Sequence, residues 1–157
     1  MKKKKNIGIV AHDNRKKDII EWAAFNWKEL TQHNLICTGT TGKLIEETLL
    51  SLCEENGAVP PTVVRLKSGP LGGDQQLGAM ICEGKVDVVI FFWDPMQPQP
   101  HDVDVKALLR ITVLYNIPTA SNRSTADFMV SSHLFHEEYH PQLKDYGEYI
   151  TRDVDIK

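Results

Sequence analysis

The sequence has no long apolar run, and this shortage limits the kind of protein it can encode. Of its 157 residues, 41% are hydrophobic and 25% are charged, as in an ordinary globular chain. No segment reaches the roughly 20 apolar residues that cross a bilayer, so we expect no membrane partner. The basic run Lys2–Lys5 precedes only a short apolar stretch, which is unlike a signal peptide. We therefore predict one domain over residues 1–157, with residues 1–5 as a frayed, solvated lead-in.

Cysteine is scarce, and the charge is nearly balanced. The three cysteines are widely spaced and odd in number, which favours neither a disulfide framework nor a metal motif. Cys37, Cys53 and Cys82 are therefore predicted to be buried free thiols in a reducing compartment, the cytoplasm. The formal net charge of −3 disfavours nucleic acid as a partner.

What the sequence does contain is a regular alternation of β-rich and helical patterns. The patterns predict strands at 6–11, 34–37, 62–66, 86–93 and 117–120. They predict helices at 15–31, 43–55, 75–83 and 103–116, and another that begins near 125. The fold class is therefore α/β, a single-domain three-layer fold with a five-stranded parallel sheet flanked by helices. Ligands in such folds bind beyond the carboxyl ends of the strands.

The segment Thr38-Gly39-Thr40-Thr41-Gly42 follows the second strand and precedes a helix. Its glycines let backbone N–H groups converge, its threonines add hydroxyl donors, and a helix N-terminus favours negative charge. These features suit a phosphate cradle, although the spacing of a nucleoside triphosphate P-loop is absent. A tight turn with a threonine N-cap fits the same residues equally well.

Charged residues follow the first strand in the segment His12-Asp13-Asn14-Arg15-Lys16. Asp13 fits the cap of the following helix as well as it fits a site. Lys16 opposes the dipole of that helix from its first turn, and an anionic partner would explain its position.

Glycine is concentrated after the third strand, in the segment 67–76, where an irregular backbone can approach a ligand closely. Asp74 in this segment is either a helix N-cap or a carboxylate base beside backbone donors. After the fourth strand, His101 is either a neutral electrophile or a surface histidine. Asp102 is predicted to cap the next helix, and Asp104 lies in that helix's first turn.

Two patterns resemble metal sites, and both are disfavoured. His136-Glu137-Glu138-Tyr139-His140 matches the H-E-x-x-H zinc pattern, but Pro141 disfavours the helix that this pattern requires. The His-Asp pairs at 12–13 and 101–102 follow strands instead of lying within helices. We therefore predict no metal.

Five segments, taken in chain order, resemble those of the methylglyoxal synthase family. They are VAHD at 10–13, TGTTG at 38–42, SGPLGGDQQ at 68–76, FFWDP at 91–95 and HDVDVKALLR at 101–110. The resemblance implies a lyase that converts dihydroxyacetone phosphate to methylglyoxal and inorganic phosphate without a metal or organic cofactor. It also implies a homo-oligomer, with a hexamer favoured, and inorganic phosphate as an inhibitor.

The resemblance also implies roles for individual residues. Asp74 matches the catalytic base, and Asp13 and Asp104 match further active-site carboxylates. His101 matches a position that contacts the substrate and is expected to act in catalysis. The substrate- and phosphate-binding positions correspond to His12, Lys16, Thr38, Gly39, Thr40, Thr41, Ser68 and Gly69.

Two departures from the family pattern stand out. Val103 occupies a position where we expect proline, and the tail leaves open whether Arg152 reaches the phosphate. Two rival functions also stay open: a non-catalytic phosphate-binding regulatory module of the same fold, and a metal-dependent phosphohydrolase. The lyase hypothesis requires Asp74 and the threonine-rich segment to face one pocket.

Overall fold

The computed structural model describes residues 1–147, and within them five parallel strands form one sheet. The strands are β1 (Asn6–Ala11), β2 (Asn34–Thr38), β3 (Val63–Leu66), β4 (Val88–Phe92) and β5 (Thr119–Ala120). Their order across the sheet is β3-β2-β1-β4-β5, and every neighbouring pair is parallel. The predicted α/β class and five-stranded parallel sheet are confirmed, with strand ends within about two residues of the pattern.

Six α-helices cover the two faces of this sheet within residues 1–147. They are α1 (Lys16–Phe25), α2 (Trp27–Leu30), α3 (Gly39–Asn56), α4 (Gly73–Cys82), α5 (Asp102–Leu114) and α6 (Arg123–Ser131). None of these helices combines the length and the apolar character that a membrane crossing requires.

Side chains that alternate along the strands build two separate cores. On one face, Ile7 and Ile9 of β1 pack with buried residues of α1, α3 and α6. On the other face, Val10 and the buried Phe91 pack with residues of α4 and α5. This alternation follows from the two-residue period of a strand, and it produces the predicted three layers.

Several predictions about the helices need correction. The helix expected over 15–31 is interrupted at Asn26, whose side-chain amide donates to the Trp22 carbonyl at 2.9 Å. The side-chain bond at Asn26 competes with the continuing helix. α5 begins at Asp102 itself, with His101 at the N-cap position, so the prediction that Asp102 caps the helix is wrong. Cys82 is exposed, whereas Cys37 and Cys53 are buried as predicted.

The N-terminal segment is only partly the solvated lead-in that we expected. Lys2, Lys3 and Lys4 are exposed, but Lys5 is buried at 1% exposure. The Lys5 ammonium donates to the carbonyls of Lys2, at 2.7 Å, and Glu137, at 2.6 Å. The Met1 amino group donates to the Tyr139 carbonyl at 2.8 Å. Met1 and Lys5 therefore contact a late segment of the chain, whereas the three lysines between them are solvent-exposed.

The order of the strands decides where a ligand can bind. The chain builds β1, β2 and β3 outward in one direction, and β4 then returns to the opposite side of β1. Such a reversal opens a crevice beyond the carboxyl ends of the strands. The segments that follow β1, β2, β3 and β4 all begin at this edge.

Candidate active site

A cavity of about 230 Å³ lies at the carboxyl edge of the sheet. It is smaller than a typical drug-binding pocket and suits a ligand of a few carbon atoms. Its walls come from the ends of β1 and β2, the glycine-rich segment before α4, and the start of α5. The lining residues are Val10, Ala11, His12, Asp13, Lys16, Thr38, Gly39, Thr40, Thr41, Ser68, Gly69, Pro70, Asp74, Gln99 and His101.

Three buried polar atoms lack a hydrogen-bond partner within residues 1–147, and all three belong to residues that line this cavity. They are Nε2 of His12, Oδ2 of Asp74 and Nδ1 of His101. A buried polar group without a partner costs roughly 1–3 kcal/mol, so native proteins keep few of them. Their grouping in one cavity indicates a polar ligand that completes these bonds.

Asp74 lies in the first turn of α4 and is 2% exposed. Gly72 occupies the N-cap position of this helix, so the alternative that Asp74 is the cap is wrong. Burial raises the pKa of the Asp74 carboxyl, and the nearby Asp104 charge raises it further, while the His101 and His12 rings oppose the rise. A carboxylate with a raised pKa is a stronger base than one in water.

Gly69 allows Asp74 and His101 to approach the same stretch of backbone. The Oδ2 atom of Asp74 lies 3.5 Å from Nε2 of His101, which is close for a charge interaction and long for a hydrogen bond. A Cβ atom at Gly69 would lie 2.7 Å from His101 Nε2 and 3.1 Å from Asp74 Oδ2. Glycine therefore leaves the space next to both side chains open to a ligand.

His12 presents one ring nitrogen to the cavity and uses the other for support. Its Nδ1 accepts the backbone N–H of Asp94 at 3.2 Å, which leaves the proton of the neutral ring on the unpaired Nε2. Burial lowers the pKa of His12 and so favours this neutral form. The ring centroids of His12 and His101 lie 5.9 Å apart, so the two histidines face one small space.

The threonine-rich segment forms another part of the cavity wall. α3 begins at Gly39 with Thr38 at its N-cap position, so this segment is the first turn of a helix instead of a separate loop. The first N–H groups of a helix lack intrahelical acceptors and favour an anion. A Cβ atom at Gly39 would lie 2.4 Å from the Ser68 hydroxyl oxygen, so glycine is needed to bring these two walls together.

Lys16 supplies the positive charge of this wall. It is the first residue of α1, and its ammonium donates to Oδ1 of the exposed Asp13 at 2.5 Å. This contact lowers the pKa of the Asp13 carboxyl, which therefore stays ionised and holds the lysine beside the cavity. The cavity lining thus combines the buried Asp74 carboxyl group with groups suited to bind an anion.

Comparison with known proteins agrees with this arrangement. The family model of the MGS-like domain matches residues 18–121. The methylglyoxal synthase of Maridesulfovibrio salexigens is 59% identical over 157 residues, which cover 98% of this chain and 100% of that protein. The chain belongs to the methylglyoxal synthase family. It is therefore an enzyme of the lyase class.

Two further methylglyoxal synthases support the assignment over the whole chain. The protein of Oleidesulfovibrio alaskensis is 52% identical over 152 residues, which cover 97% of each chain. The crystal structure of methylglyoxal synthase from Elizabethkingia anophelis NUHP1 superposes with a TM-score of 0.86 at 48% identity. That alignment covers 100% of this chain and 97% of the other.

Most of the site residues predicted from the resemblance to methylglyoxal synthases line this same cavity. Asp104 is the exception, because it lies outside the lining and influences the site through its charge on Asp74. Gln99 lines the cavity and was not predicted, since the proline-rich segment around it carries no pattern of its own. The prediction about Arg152 lies outside the described residues.

The pattern that resembles a zinc site lacks the geometry that zinc binding by this motif requires. Residues 136–140 are irregular, as Pro141 predicts, so the two histidines are not presented one turn apart on a helix. Within residues 1–147, no group of three or more potential ligands is arranged to hold a metal ion.

Proposed function

We propose that this enzyme converts dihydroxyacetone phosphate to methylglyoxal and inorganic phosphate. The observation that carries the proposal is the unpaired, buried carboxylate oxygen of Asp74 in the cavity that Thr38–Thr41 and Lys16 also line. A base and an anion-binding wall within one cavity of about 230 Å³ fit a triose phosphate. The names of the relatives, methylglyoxal synthase, agree with this reaction.

In the proposed first step, Asp74 removes a proton from the hydroxymethyl carbon of the ketone. The C–H electron pair forms a carbon–carbon double bond, and the carbonyl oxygen becomes the oxyanion of an enediolate. The raised pKa of Asp74 supports this role, because proton transfer is most effective when the pKa of the base approaches the working pH.

His101 is proposed to donate a hydrogen bond to the oxygen on which this negative charge develops. It lies beside Asp74, and its buried Nδ1 has no partner within residues 1–147. A positioned donor of this kind typically contributes ~3–4 kcal/mol to the stability of the transition state. We propose that His12, with its proton on Nε2, donates to a second oxygen of the bound ligand.

In the second step, the bond between carbon and the phosphate oxygen breaks. The hydroxyl group on the former hydroxymethyl carbon passes its proton to the neighbouring oxyanion, and its oxygen becomes an aldehyde carbonyl. The double bond shifts to the phosphate-bearing carbon, and the phosphate leaves with the electron pair of the broken bond and takes up the proton that Asp74 had removed. The resulting enol of methylglyoxal then tautomerises to the product. Residues Thr38–Thr41, Ser68, Gly69 and Lys16 would hold the departing phosphate, since helix N–H groups and an ammonium favour a dianion.

The two further carboxylates are proposed to act through their neighbours. Asp104 raises the pKa of Asp74 and so strengthens the base. Asp13 binds the ammonium of Lys16 and fixes it at the rim of the cavity. Both roles are electrostatic, and neither requires contact with the reacting carbon.

The deciding experiment is identification of the product after the pure protein is mixed with dihydroxyacetone phosphate. We expect methylglyoxal and inorganic phosphate in equal amounts, unaffected by a chelator. Phosphate binding without methylglyoxal would support the non-catalytic module. Loss of activity with chelator and a triose product would support a phosphohydrolase.

Asp74→Asn tests the assigned base directly. Turnover should fall by about 10³-fold or more, whereas inorganic phosphate should still bind, because the anion-binding wall is untouched. Asp18→Asn is the matched control, since Asp18 lies on the surface in an ion pair with Arg15. Near-normal turnover of Asp74→Asn would refute the role of this residue.

Three further properties implied by the resemblance are part of the proposal. We propose a homo-oligomer, with a hexamer favoured, which light scattering can test. We propose that inorganic phosphate competes for the same anion-binding wall and inhibits the enzyme. A cytoplasmic location is also proposed, and the free thiols of Cys37 and Cys53 are consistent with it.

A further inference from the structure

The orientation of His12 depends on the segment that follows β4. The His12 backbone N–H donates to the Phe92 carbonyl at 3.3 Å, and its Nδ1 accepts the Asp94 N–H at 3.2 Å. Only the second contact determines which ring nitrogen carries the proton. The position of the Asp94 amide therefore decides whether His12 offers a donor or an acceptor to the cavity.

Asp94 is itself held in place by its side chain. It is 7% exposed, and its Oδ1 accepts the backbone N–H of Met96 at 3.0 Å. Its Oδ2 accepts from the side-chain amide of Asn14 at 2.9 Å. The same amide nitrogen donates to Oε1 of Gln97 at 2.5 Å. Asn14 therefore connects the segment after β1 to the segment after β4.

As long as residue 94 is an aspartate, this contact requires an amide at residue 14. Two oxygen acceptors surround its nitrogen, and an NH₂ group supplies the two donors that satisfy both. A carboxylate of the same shape would place negative charge against Asp94. A shorter apolar side chain would leave Asp94 Oδ2 without this partner.

We propose that Asn14 is a positioning residue that fixes His12 with its proton on Nε2. It does so by holding Asp94, whose backbone N–H occupies Nδ1 of the ring. The cavity thereby receives a fixed N–H donor from His12, oriented before the ligand arrives. This inference rests on the proposed function only in taking phosphate as the ligand.

Nitrogen-15 NMR of the histidine rings tests the inference without any turnover. The protonated and unprotonated nitrogens of a neutral imidazole resonate far apart, and His12 of the unmodified protein should have its proton on Nε2. Asn14→Asp and Asn14→Ala should each produce a mixture of the two tautomers. Both should weaken binding of inorganic phosphate by about threefold to tenfold, the range that one hydrogen bond supplies.

The double variant Asn14→Asp/Asp94→Asn exchanges the donor and the acceptor of this contact. It should restore the Nε2 tautomer and return the phosphate affinity to within about twofold of the original. Asn56→Ala is the matched control, since the side-chain amide of Asn56 donates to the Leu52 carbonyl of its own helix, at 2.8 Å, far from the segments after β1 and β4. It should change neither measurement.

The inference is overturned if His12 of the unmodified protein has its proton on Nδ1. It is also overturned if the single variants keep the Nε2 tautomer and the original phosphate affinity. If the single variants do not fold, the unmodified protein and the exchange variant still decide between these outcomes. Absence of methylglyoxal from the unmodified protein would refute the proposed function and leave the tautomer measurement intact.

Discussion

Two cavities of nearly equal size lie at opposite edges of the sheet. The one at the carboxyl edge has a volume of about 230 Å³, and the one at the amino edge about 250 Å³. The first is lined by two histidines, two aspartates and a lysine, whereas apolar residues such as Val88, Pro118 and Phe135 dominate the second. Volume alone does not separate a functional cavity from a packing gap.

The two edges differ in how their buried polar atoms are satisfied. At the amino edge, Lys5 donates to two carbonyls. Nδ1 of His33 accepts the Lys5 N–H at 3.2 Å, and Nε2 lies 2.9 Å from Glu29. At the carboxyl edge, His12, Asp74 and His101 each keep one atom unpaired within residues 1–147. Paired groups stabilise the fold, and unpaired groups mark the place where a ligand completes the structure.

Gly69→Ala should reduce turnover strongly, because it fills the space between the unpaired groups. The new Cβ would lie 2.7 Å from Nε2 of His101, so the ring or the backbone must move. A displacement of this size in an active site can reduce turnover by about 10²-fold, and we expect a loss of that order in steady-state assays.

Gly78→Ala is the control for this prediction. A Cβ there would lie 3.4 Å from Ile111, an ordinary contact, and alanine favours helix α4 more than glycine does. Turnover should be unchanged. Equal activity of Gly69→Ala and Gly78→Ala would contradict the prediction that turnover requires the open space beside His101.

The carboxyl edge was more predictable from the sequence than the amino edge. Apolar β-branched runs fix the strands, and parallel strands bring their carboxyl ends together, so residues as far apart as His12 and His101 could be expected to meet. The packing of Lys5 depends on Glu137, which is 132 residues away, and local patterns do not contain such a contact.

Within the site, residue types were predictable and their partners were not. Glycine and threonine predicted an anion-binding segment, but they also resembled a loop, so the start of α3 at Gly39 was missed. The bond between Asn14 and Asp94 depends on the conformation of two irregular segments. Irregular segments have no periodicity from which that conformation could be predicted.

Lys5→Ala should destabilise the protein without affecting chemistry. It removes a buried aliphatic chain and two hydrogen bonds, which should lower the free energy of unfolding by about 2 kcal/mol in urea titrations. Turnover per folded molecule should stay constant, because the residue lies at the amino edge. Lys3→Ala, at an exposed neighbour, should have no effect. A loss of turnover in folded Lys5→Ala would contradict the separation of the two edges.

Asp74→Asn should leave stability equal or higher at neutral pH, although we expect it to reduce turnover severely. The pKa of Asp74 is raised, so the folded state favours the protonated form, and its contribution to stability is lost as the pH rises through that pKa. A neutral amide avoids this loss, and a gain of up to about 1 kcal/mol is expected in urea titrations at pH 7. A clear destabilisation by Asp74→Asn would mean that the Asp74 carboxylate has a partner and stabilises the fold, as the paired groups at the amino edge do.

His33→Asn should give the smallest effect, a change in the pH dependence of stability. Burial lowers the pKa of His33, and Glu29 opposes this only in part, so the folded state favours the neutral ring. Stability is therefore complete above the unfolded pKa, near 6.5, and falls as the pH decreases through the folded value. Asparagine can still accept the Lys5 N–H but does not titrate, so unfolding free energies measured between pH 7 and pH 5 should fall less steeply. If the unfolding free energy falls equally steeply with pH in both proteins, the acid sensitivity comes from other groups. His12 at the carboxyl edge would then be the next residue to test, because burial lowers its pKa as well.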